Sequence, residues 1–422
     1  MAVNLRDRLR RIREAVPSKV HEPPGSDPME EETVPAGFPA EWVSISFHTL
    51  RRVVYLDFPP PAPRVLPRSL GILIPDVTLE QRTPENALFF DLETTGLSGG
   101  AGTVAFLAAF GRFVRDTASS GDVAVPMRLR VAQYLLLDYP GESDFLTALL
   151  SEFAADGTTV GVSPVVVSYN GKTFDAPLLK TRCLMQGIKP PEYGHADLLH
   201  LSRRLWKRVL PNCSLGEIET SILGLDRTGD MPGALAPEVW FAFLRTGKTE
   251  DLLRICEHNI RDIAGLAHLF AAAIRLAEKP LETAETLACD MENLALHWRK
   301  TLRRAGSTFT REDWETGAEL LARAAARGHP RALLLVARDR LREARRSEGL
   351  DCLTRLIEGD NPAPLKAAAY RLLAIDAEWH GRDCQTALAA TEAALALEGL
   401  SPSLRNDLER RRRRLSCSKN FC

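Results

Sequence analysis

Two acidic residues at the end of an apolar run have the types and the spacing to do chemistry. Residues 87–97 read ALFFDLETTGL, and Asp91 and Glu93 follow the apolar part. Such a run bounded by breakers is typical of a buried strand, where an i, i+2 spacing places both carboxylates on one face. Two like charges there repel and are costly to desolvate, and a divalent cation that prefers carboxylate oxygens would stabilise them. A strand that stops in a solvated acidic turn explains the same residues equally well.

Three more residues could join this pair. Asp175 follows a second apolar run, Val165–Tyr169, although alone it is better explained as an acid interacting with a helix N-terminus. His258 and Asp262 are four residues apart in a predicted helix, Asp251–Ala277, and therefore share a face. A surface ion pair explains that spacing too, but flanking apolar positions indicate a face turned inward. Four carboxylates and an imidazole make a plausible site for two cations and in-line phosphoryl displacement, with the histidine as proton acceptor.

Composition limits the class of protein. A length of 422 residues suggests two or three domains, and the 45% hydrophobic and 26% charged residues are ordinary for a folded protein in water. The net charge of −1 gives no global basic field, so a local patch would have to bind nucleic acid. No apolar run approaches a membrane span and residues 1–14 lack a signal-peptide core, so we expect a cytoplasmic protein without membrane contact. The eight cysteines form no CxxC pair and are expected to be reduced.

The elements that must position the acids lie in the middle of the chain. Residues 1–84 are predicted to be an accessory, partly disordered segment, although Trp42–Leu56 is strand-like. From residue 85 to 276 the pattern is α/β, beginning with strands joined by short turns that predict an antiparallel meander and including a helix at Ala196–Leu210. Residues 283–415 are rich in Ala, Leu, Arg and Glu and predict consecutive helices that look like degenerate tetratricopeptide repeats.

The order of the motifs resembles the DEDD exonucleases of the ribonuclease H-like superfamily: D-x-E, then N-x-x-x-F-D, then a histidine with an aspartate four residues later. Several segments are also similar to the YprB-type ribonuclease H-like family, namely DLETTGLSGGAGTVAFL, VSYNGKTFDAPLL, HADLLHLSRRLWKRVLPNCSLGEIE, the DMPG at 230–233 and HNIRDIAGL. The resemblance covers roughly residues 85–272. It implies an α/β ribonuclease H-like domain, with a mixed central sheet flanked by helices, followed by an all-α helical-repeat domain.

Carried over by motif, the resemblance also implies roles for single residues. The ligands of two Mg²⁺ or Mn²⁺ ions would be Asp91, Glu93, Asp175 and Asp262. Glu93 would also help to orient the attacking water, and His258 would be the general base. The histidine branch of the superfamily usually places its histidine five residues before the last aspartate, where this chain has Glu257. His258 instead takes the four-residue spacing at which the other branch has tyrosine.

Several other residues are weaker candidates. Three basic residues, Arg203, Arg204 and Lys207, lie on the polar side of a predicted helix and could bind a phosphate backbone. A solvated face explains them equally well. Asn170, in the turn before Asp175, could also contact the backbone of a nucleic acid. Trp206 is better explained by core packing than by base stacking. A metal site at His195, Asp197 and His200 is less favoured than a structural role for the aspartate. The glycine-rich Ser98–Gly102 lacks GxGxxG spacing and is interpreted as a tight turn, with no cofactor.

The resemblance thus implies a metal-dependent nuclease, most specifically a 3′→5′ exonuclease that hydrolyses single-stranded RNA or DNA. The helical repeats would bind a protein partner or guide the substrate. The alternative is a catalytically silent nucleic-acid-binding or scaffolding protein that acts through those repeats. The four acids argue against the alternative, because an inactive domain has no need to keep mutually repelling carboxylates.

Overall fold

The computed structural model describes residues 34–418, apart from 59–62, 64, 76, 80, 97–101, 116–126 and 155–162. The predictions for residues 1–33 and for most of the Ser98–Gly102 turn lie outside these residues. Within them, the chain forms a mixed seven-stranded sheet with helices on both faces, followed by a helical C-terminal region. This arrangement confirms the predicted fold class.

The sheet is built from strands β1 to β7 in the spatial order β1-β2-β5-β4-β3-β6-β7. Their bounds are β1 Val43–Ser46, β2 Thr49–Phe58, β3 Ala87–Thr94, β4 Ala105–Arg115, β5 Met127–Leu136, β6 Val165–Ser168 and β7 Gly194–Asp197. The strands β3, β4 and β5 form the predicted antiparallel meander, whereas β6 runs parallel to β3 and β7 parallel to β6. Because β3 and β6 are parallel, their carboxyl ends reach the same edge of the sheet.

Helices α1 to α7 cover the two faces of the sheet. Their bounds are α1 Leu70–Leu73, α2 Glu142–Leu150, α3 Asp175–Met185, α4 Leu198–Trp206, α5 Leu215–Ile218, α6 Ala236–Thr246 and α7 Glu250–Glu278. The long helix α7 packs closely on the sheet face that carries Phe89. Gly111 of β4 permits this approach, because a β-carbon there would lie 2.5 Å from Cγ2 of Ile263 and 3.2 Å from Cβ of Phe89.

Two features of the sheet differ from the sequence-based expectation. The sheet begins well before residue 85, because β2 pairs with β5 along its whole length, from Thr49 opposite Leu136 to Phe58 opposite Met127. Ala196 and Asp197, predicted to be helical, lie in β7. The helix begins only at Leu198 because the Asp197 carboxylate accepts a hydrogen bond from the Leu199 amide at 3.0 Å and caps it.

The C-terminal region consists of helices α8 to α15, as predicted. Their bounds are α8 Pro280–Thr286, α9 Met291–Ala305, α10 Arg311–Ala326, α11 Pro330–Arg342, α12 Arg346–Glu358, α13 Ala363–Asp376, α14 Cys384–Leu395 and α15 Pro402–Ser418. An apolar core continues from α4 and α7 into α9–α12. The indole of Trp206, buried as expected, donates to the Leu287 carbonyl at 2.8 Å, and Arg208 binds Asp290 and the buried Glu292. In the described part of the chain, no helix is long and apolar enough to cross a membrane.

Candidate active site

The acidic end of β3 faces helix α7. Asp91 and Glu93 alternate with Leu92 and therefore project to the same side of the sheet as Phe89. Asn259 of α7 donates from Nδ2 to Oδ2 of Asp91 at 2.7 Å. The amide is itself held by Gln133 of β5, whose Nε2 donates to Oδ1 of Asn259 at 2.9 Å. A chain of buried amides thus fixes the first carboxylate.

Asp175 reaches the same edge from the loop after β6. It is the first residue of α3 and is buried. The loop before it is held by Asp197, whose carboxylate accepts from the backbone amides of Asn170 at 2.8 Å and Lys172 at 3.1 Å. Asn170 adopts a left-handed conformation with φ of 67°, so it shapes the turn. The packing is tight, because a β-carbon on Gly171 would lie 3.0 Å from Oδ2 of Asp175.

His258 and Asp262 share one face of α7, and the imidazole lies between two carboxylates. Its Nδ1 atom is 2.9 Å from Oδ2 of Asp230, and its Nε2 atom is 3.5 Å from Oδ2 of Asp262. Gly233 covers the Nε2 side. A β-carbon there would be 2.8 Å from Nε2 and 3.8 Å from Oε1 of Glu93, so the histidine and Glu93 border the same small space.

A half-buried arginine completes the cluster. Arg227 forms ion pairs with Glu219, Asp230 and Asp262, including Nη1 to Oδ2 of Asp230 at 3.3 Å. Glu219 fits beneath α7 only because residue 265 is glycine, where a β-carbon would overlap its Oε1 atom. Burial raises the pKa of Glu219 to about 8, although Arg227 opposes the shift.

The four predicted acids lie within electrostatic reach of one another. Burial, and then the charges of Asp262, Asp175 and Glu93, raise the pKa of Asp91 well above its usual range, against the hydrogen bond from Asn259. Burial and the charges of Asp262 and Asp175 raise the pKa of Glu93 to about 8. Burial and then the Asp197 charge raise the pKa of Asp175 to about 7, against a backbone hydrogen bond. The site therefore favours either bound protons or a bound cation.

The donor chemistry of these acids fits a hard divalent cation, since each offers carboxylate oxygens. Among the residues that the structure describes, however, no group of three or more His, Cys, Asp or Glu side chains is gathered in a metal-binding arrangement. Two of the carboxylates are turned toward protein donors: Asp91 toward Asn259 and Asp262 toward Arg227. Each of these two carboxylates thus has a protein partner on at least one of its oxygens.

The remaining candidates lie in different surroundings. Arg203 and Lys207 are exposed on α4, whereas Arg204 is half-buried and donates to the Leu73 carbonyl at 3.1 Å. His195 is hydrogen-bonded through Nε2 to Oγ of Ser168 at 2.7 Å, and burial lowers its pKa to about 4. His200 is exposed. Asp197 has the structural role that was expected, and the nucleic-acid role of the basic residues stays a prediction.

Sequence reasoning assigned no role to Asn259, Glu219, Arg227 or Asp230. Asn259 had a detectable signal, because it lies four residues after Ile255 and four before Ile263 and therefore interrupts the apolar stripe of α7. Asp230 and Gly233 belong to the DMPG segment that carried part of the family resemblance. The pattern around Glu219 and Arg227 gave no comparable signal.

The comparison with known families agrees with this architecture. The family model of the RNase_H superfamily matches residues 88–274. This range contains all of β3 but its first residue, β4–β7, helices α2–α6, nearly all of α7 and all four acids. Residues 88–274 are therefore a ribonuclease H-like domain.

Within this class, the chain is similar to a bacterial protein. It is 40% identical over 188 residues to the uncharacterized protein YprB of Bacillus subtilis (strain 168). The alignment covers 44% of this chain and 41% of that relative. The chain thus matches less than half of the relative's length, and the domain is of the YprB type, as the sequence motifs predicted.

Proposed function

We propose that the protein is a metal-dependent nuclease, and more specifically a 3′→5′ exonuclease acting on single-stranded RNA or DNA. The observation that carries the proposal is the set of four acids that β3, α3 and α7 bring to one edge of the sheet. Burial and then the charges of Asp262 and Asp175 raise the pKa of Asp91 and of Glu93 there. A ribonuclease H-like domain at residues 88–274 agrees with nucleic-acid hydrolysis. Buried, mutually repelling carboxylates are destabilising unless a cation binds them.

The proposed metal ligands are Asp91, Glu93, Asp175 and Asp262, and the proposed ions are two Mg²⁺ or Mn²⁺. When bound, such ions polarise the phosphoryl group and lower the pKa of coordinated water. In this proposal Glu93 also orients the attacking water. Arg227 pairs with Oδ1 of the Asp262 carboxylate, whereas Oδ2 faces His258.

His258 is the proposed general base. If Nδ1 carries the proton donated to Asp230, Nε2 is left as the acceptor, and it faces the space that Glu93 borders. Asp230 thereby selects the tautomer that can take a proton from water. The unusual four-residue spacing to Asp262 places both side chains on one face of α7, so the geometry is compatible with this role.

An exposed aromatic residue supports a single-stranded substrate. Phe174 immediately precedes the buried Asp175, yet 48% of its surface is accessible. An aromatic ring beside a phosphoryl-transfer site offers a surface on which an unpaired base can stack. Base pairing would keep a duplex end from using this ring.

The direct test uses end-labelled single-stranded RNA and DNA with the purified protein, in Mn²⁺ and in EDTA, beside Asp91→Ala. Shortening from the 3′ end that needs Mn²⁺ and is lost in the variant supports the exonuclease and identifies its substrate. Internal cuts under the same controls keep the metal-dependent nuclease but overturn the exonuclease assignment. Intact substrate in every lane, from protein shown to be folded, contradicts the proposal.

A silent binding or scaffolding protein is the second candidate. It is favoured by the pairing of Asp262 with Arg227 and of Asp91 with Asn259, which satisfies two acids without any ion. Thermal stabilisation by Mn²⁺ separates the candidates. A ligand that binds only the folded state raises its melting temperature, whereas a silent site leaves it unchanged.

A further inference from the structure

A positively charged groove lies in the helical C-terminal region, far along the chain from the acidic residues of the candidate active site. Helices α9, α10 and α11 enclose an open groove of about 310 Å³. Its lining includes Arg299, Arg303, Trp314, Asp339 and Arg342. The groove combines guanidinium groups with an indole ring.

The charges in the groove do not balance. Arg299 and Arg303 are one helical turn apart on α9, and Arg338 and Arg342 are one turn apart on α11, so each helix presents two guanidinium groups on one face. Arg299 pairs with Asp339 at 2.8 Å. The proximity of Arg299, followed by burial and by Arg338 and Arg342, lowers the pKa of Arg303, with Asp339 opposing.

The acids near the groove are already engaged, because Glu343, which also lines it, accepts from Arg340 at 3.0 Å. Within the described ranges, Arg303, Arg338 and Arg342 form no ion pair with a carboxylate. Three exposed guanidinium groups are therefore left without an anionic partner. A solvated surface of that kind is common, but this groove has a second feature as well.

That feature is Trp314 of α10, which is 40% exposed although the neighbouring Trp298 is fully buried. The two helices approach closely at Gly317, where a β-carbon would lie 2.9 Å from Cδ1 of Trp298. The core contact is thus supplied by Trp298, and Trp314 is left at the groove. An exposed indole ring beside guanidinium groups offers a flat surface on which a base can stack.

We propose that this groove binds single-stranded nucleic acid, with phosphates on Arg303 and Arg342 of the groove and on the adjacent Arg338, and a base stacked on Trp314. Guanidinium groups bind phosphate oxygens in a planar, bidentate manner, and base stacking on an aromatic ring tolerates any sequence. The inference rests on the proposed nuclease function, for which the groove holds the strand away from the site of cleavage. A peptide of acidic residues alone would neutralise the guanidinium groups but would offer no flat group to stack on the indole ring.

The test measures the affinity of the full-length protein for a fluorescent 20-nucleotide single strand in EDTA, where no cleavage occurs. The double variant Arg303→Ala/Arg342→Ala should bind at least about tenfold more weakly, and the slope of log Kd against log salt should fall by about 1.4. The matched control, Arg304→Ala/Arg331→Ala, removes the same charge from exposed positions outside the groove and should bind like the wild type. Equal affinity of all three proteins would overturn the inference.

The indole is tested separately. Trp314→Ala should weaken binding by about tenfold, and Trp314→Phe should restore most of the affinity, because a base can stack on either ring. Poly-glutamate of matched charge that binds as tightly as the oligonucleotide, with no effect of Trp314→Ala, would overturn the inference in favour of a protein partner. Cleavage in Mn²⁺ is assayed in parallel. If the groove variants weaken binding but no protein cleaves, only the nuclease proposal is contradicted. If the protein cleaves but the groove variants bind like the wild type, only the proposed role of the groove is contradicted.

Discussion

His258 and Asp230 are 28 residues apart in the chain, and their Nδ1 and Oδ2 atoms are 2.9 Å apart in the fold. The aspartate comes from the loop before α6 and the histidine from α7. Arg261 and Arg227 each place a guanidinium nitrogen within 3.4 Å of the same carboxylate. The two guanidinium groups thereby hold the carboxylate in place, and the carboxylate fixes the orientation of the imidazole.

Removing the charge of Asp230 should impair turnover more than metal binding. In Asp230→Asn we expect kcat to fall by about a hundredfold, because the imidazole loses the partner that selects its tautomer. The measurement is nuclease turnover beside the melting temperature in Mn²⁺, which should rise as in the wild type. Asp226→Asn, an exposed change in the same loop, is the control. Full activity of Asp230→Asn would show that the pair is only structural.

A single methyl group should close the space next to the imidazole. In Gly233→Ala the new β-carbon would lie 2.8 Å from Nε2 of His258, closer than unstrained contacts allow. Turnover should fall by about a hundredfold, as expected for a displaced catalytic group. Gly216→Ala is the control, since its β-carbon meets only Arg227 at 3.8 Å. Unchanged turnover of the Gly233 variant would show that the reaction does not use the space beside Nε2 of His258.

Removing the metal should lower the melting temperature, whereas removing the charge of Asp91 in the absence of metal should raise it. Asp91→Asn should raise the melting temperature in EDTA, because a neutral amide replaces a carboxylate whose charged form is disfavoured by desolvation and by three neighbouring acids. The same change should abolish the stabilisation by Mn²⁺, which for the wild type should reach about 2.7 kcal/mol at a hundred times Kd. Differential scanning calorimetry with and without Mn²⁺ measures both effects. A variant still stabilised by Mn²⁺ would exclude Asp91 as a ligand.

The metal-free protein should lose stability as the pH rises. The pKa values of Asp175, Glu93 and Glu219 are about 7, 8 and 8 in the folded chain, raised from ordinary values of 3.8, 4.5 and 4.5. Between these limits the folded state binds more protons than the unfolded state, so the free energy of unfolding falls from about pH 4.5 to pH 8.

Urea unfolding in EDTA at several pH values tests this slope. Glu93→Gln should make the slope shallower, whereas Glu257→Gln, at an exposed position on α7, should leave it unchanged. Stability that is constant or rises across this range would contradict the electrostatic description of the site.

The sequence predicted what depends on local pattern. The strands β3, β4 and β5 were found because each is a long apolar run, and the position of Asp91 and Glu93 followed from strand alternation. Strand β7 was missed because GHAD is short and leads directly into a helix. The place of β2 in the sheet was missed because its partner β5 lies about eighty residues further on, and pairing at that distance leaves no periodic signal.

The same reason explains the incomplete site. Asp91 and Glu93 were found because they alternate near the end of a strand, and Asp262 because it shares a helical face with His258. Asp175 was found because it follows an apolar run and fits the family motif. The pairings of Asp91 with Asn259 and of Asp262 with Arg227 join segments that are distant in the chain. Neither segment carries a sequence signal that identifies its partner. The metal-binding roles and the domain boundaries predicted from the sequence stay predictions.

The continuous core between the sheet and the helical region has a consequence for how the chain can be divided. Helix α4 is buried on the side of Leu201, Leu205 and Trp206, and α9 is among the helices that cover it. A fragment ending near residue 276 would expose this surface to water and should self-associate. Heating the chain should unfold the sheet and the first helices of the C-terminal region in one transition, because each covers apolar surface of the other. We therefore expect the first helices of the C-terminal region to fold together with the ribonuclease H-like domain.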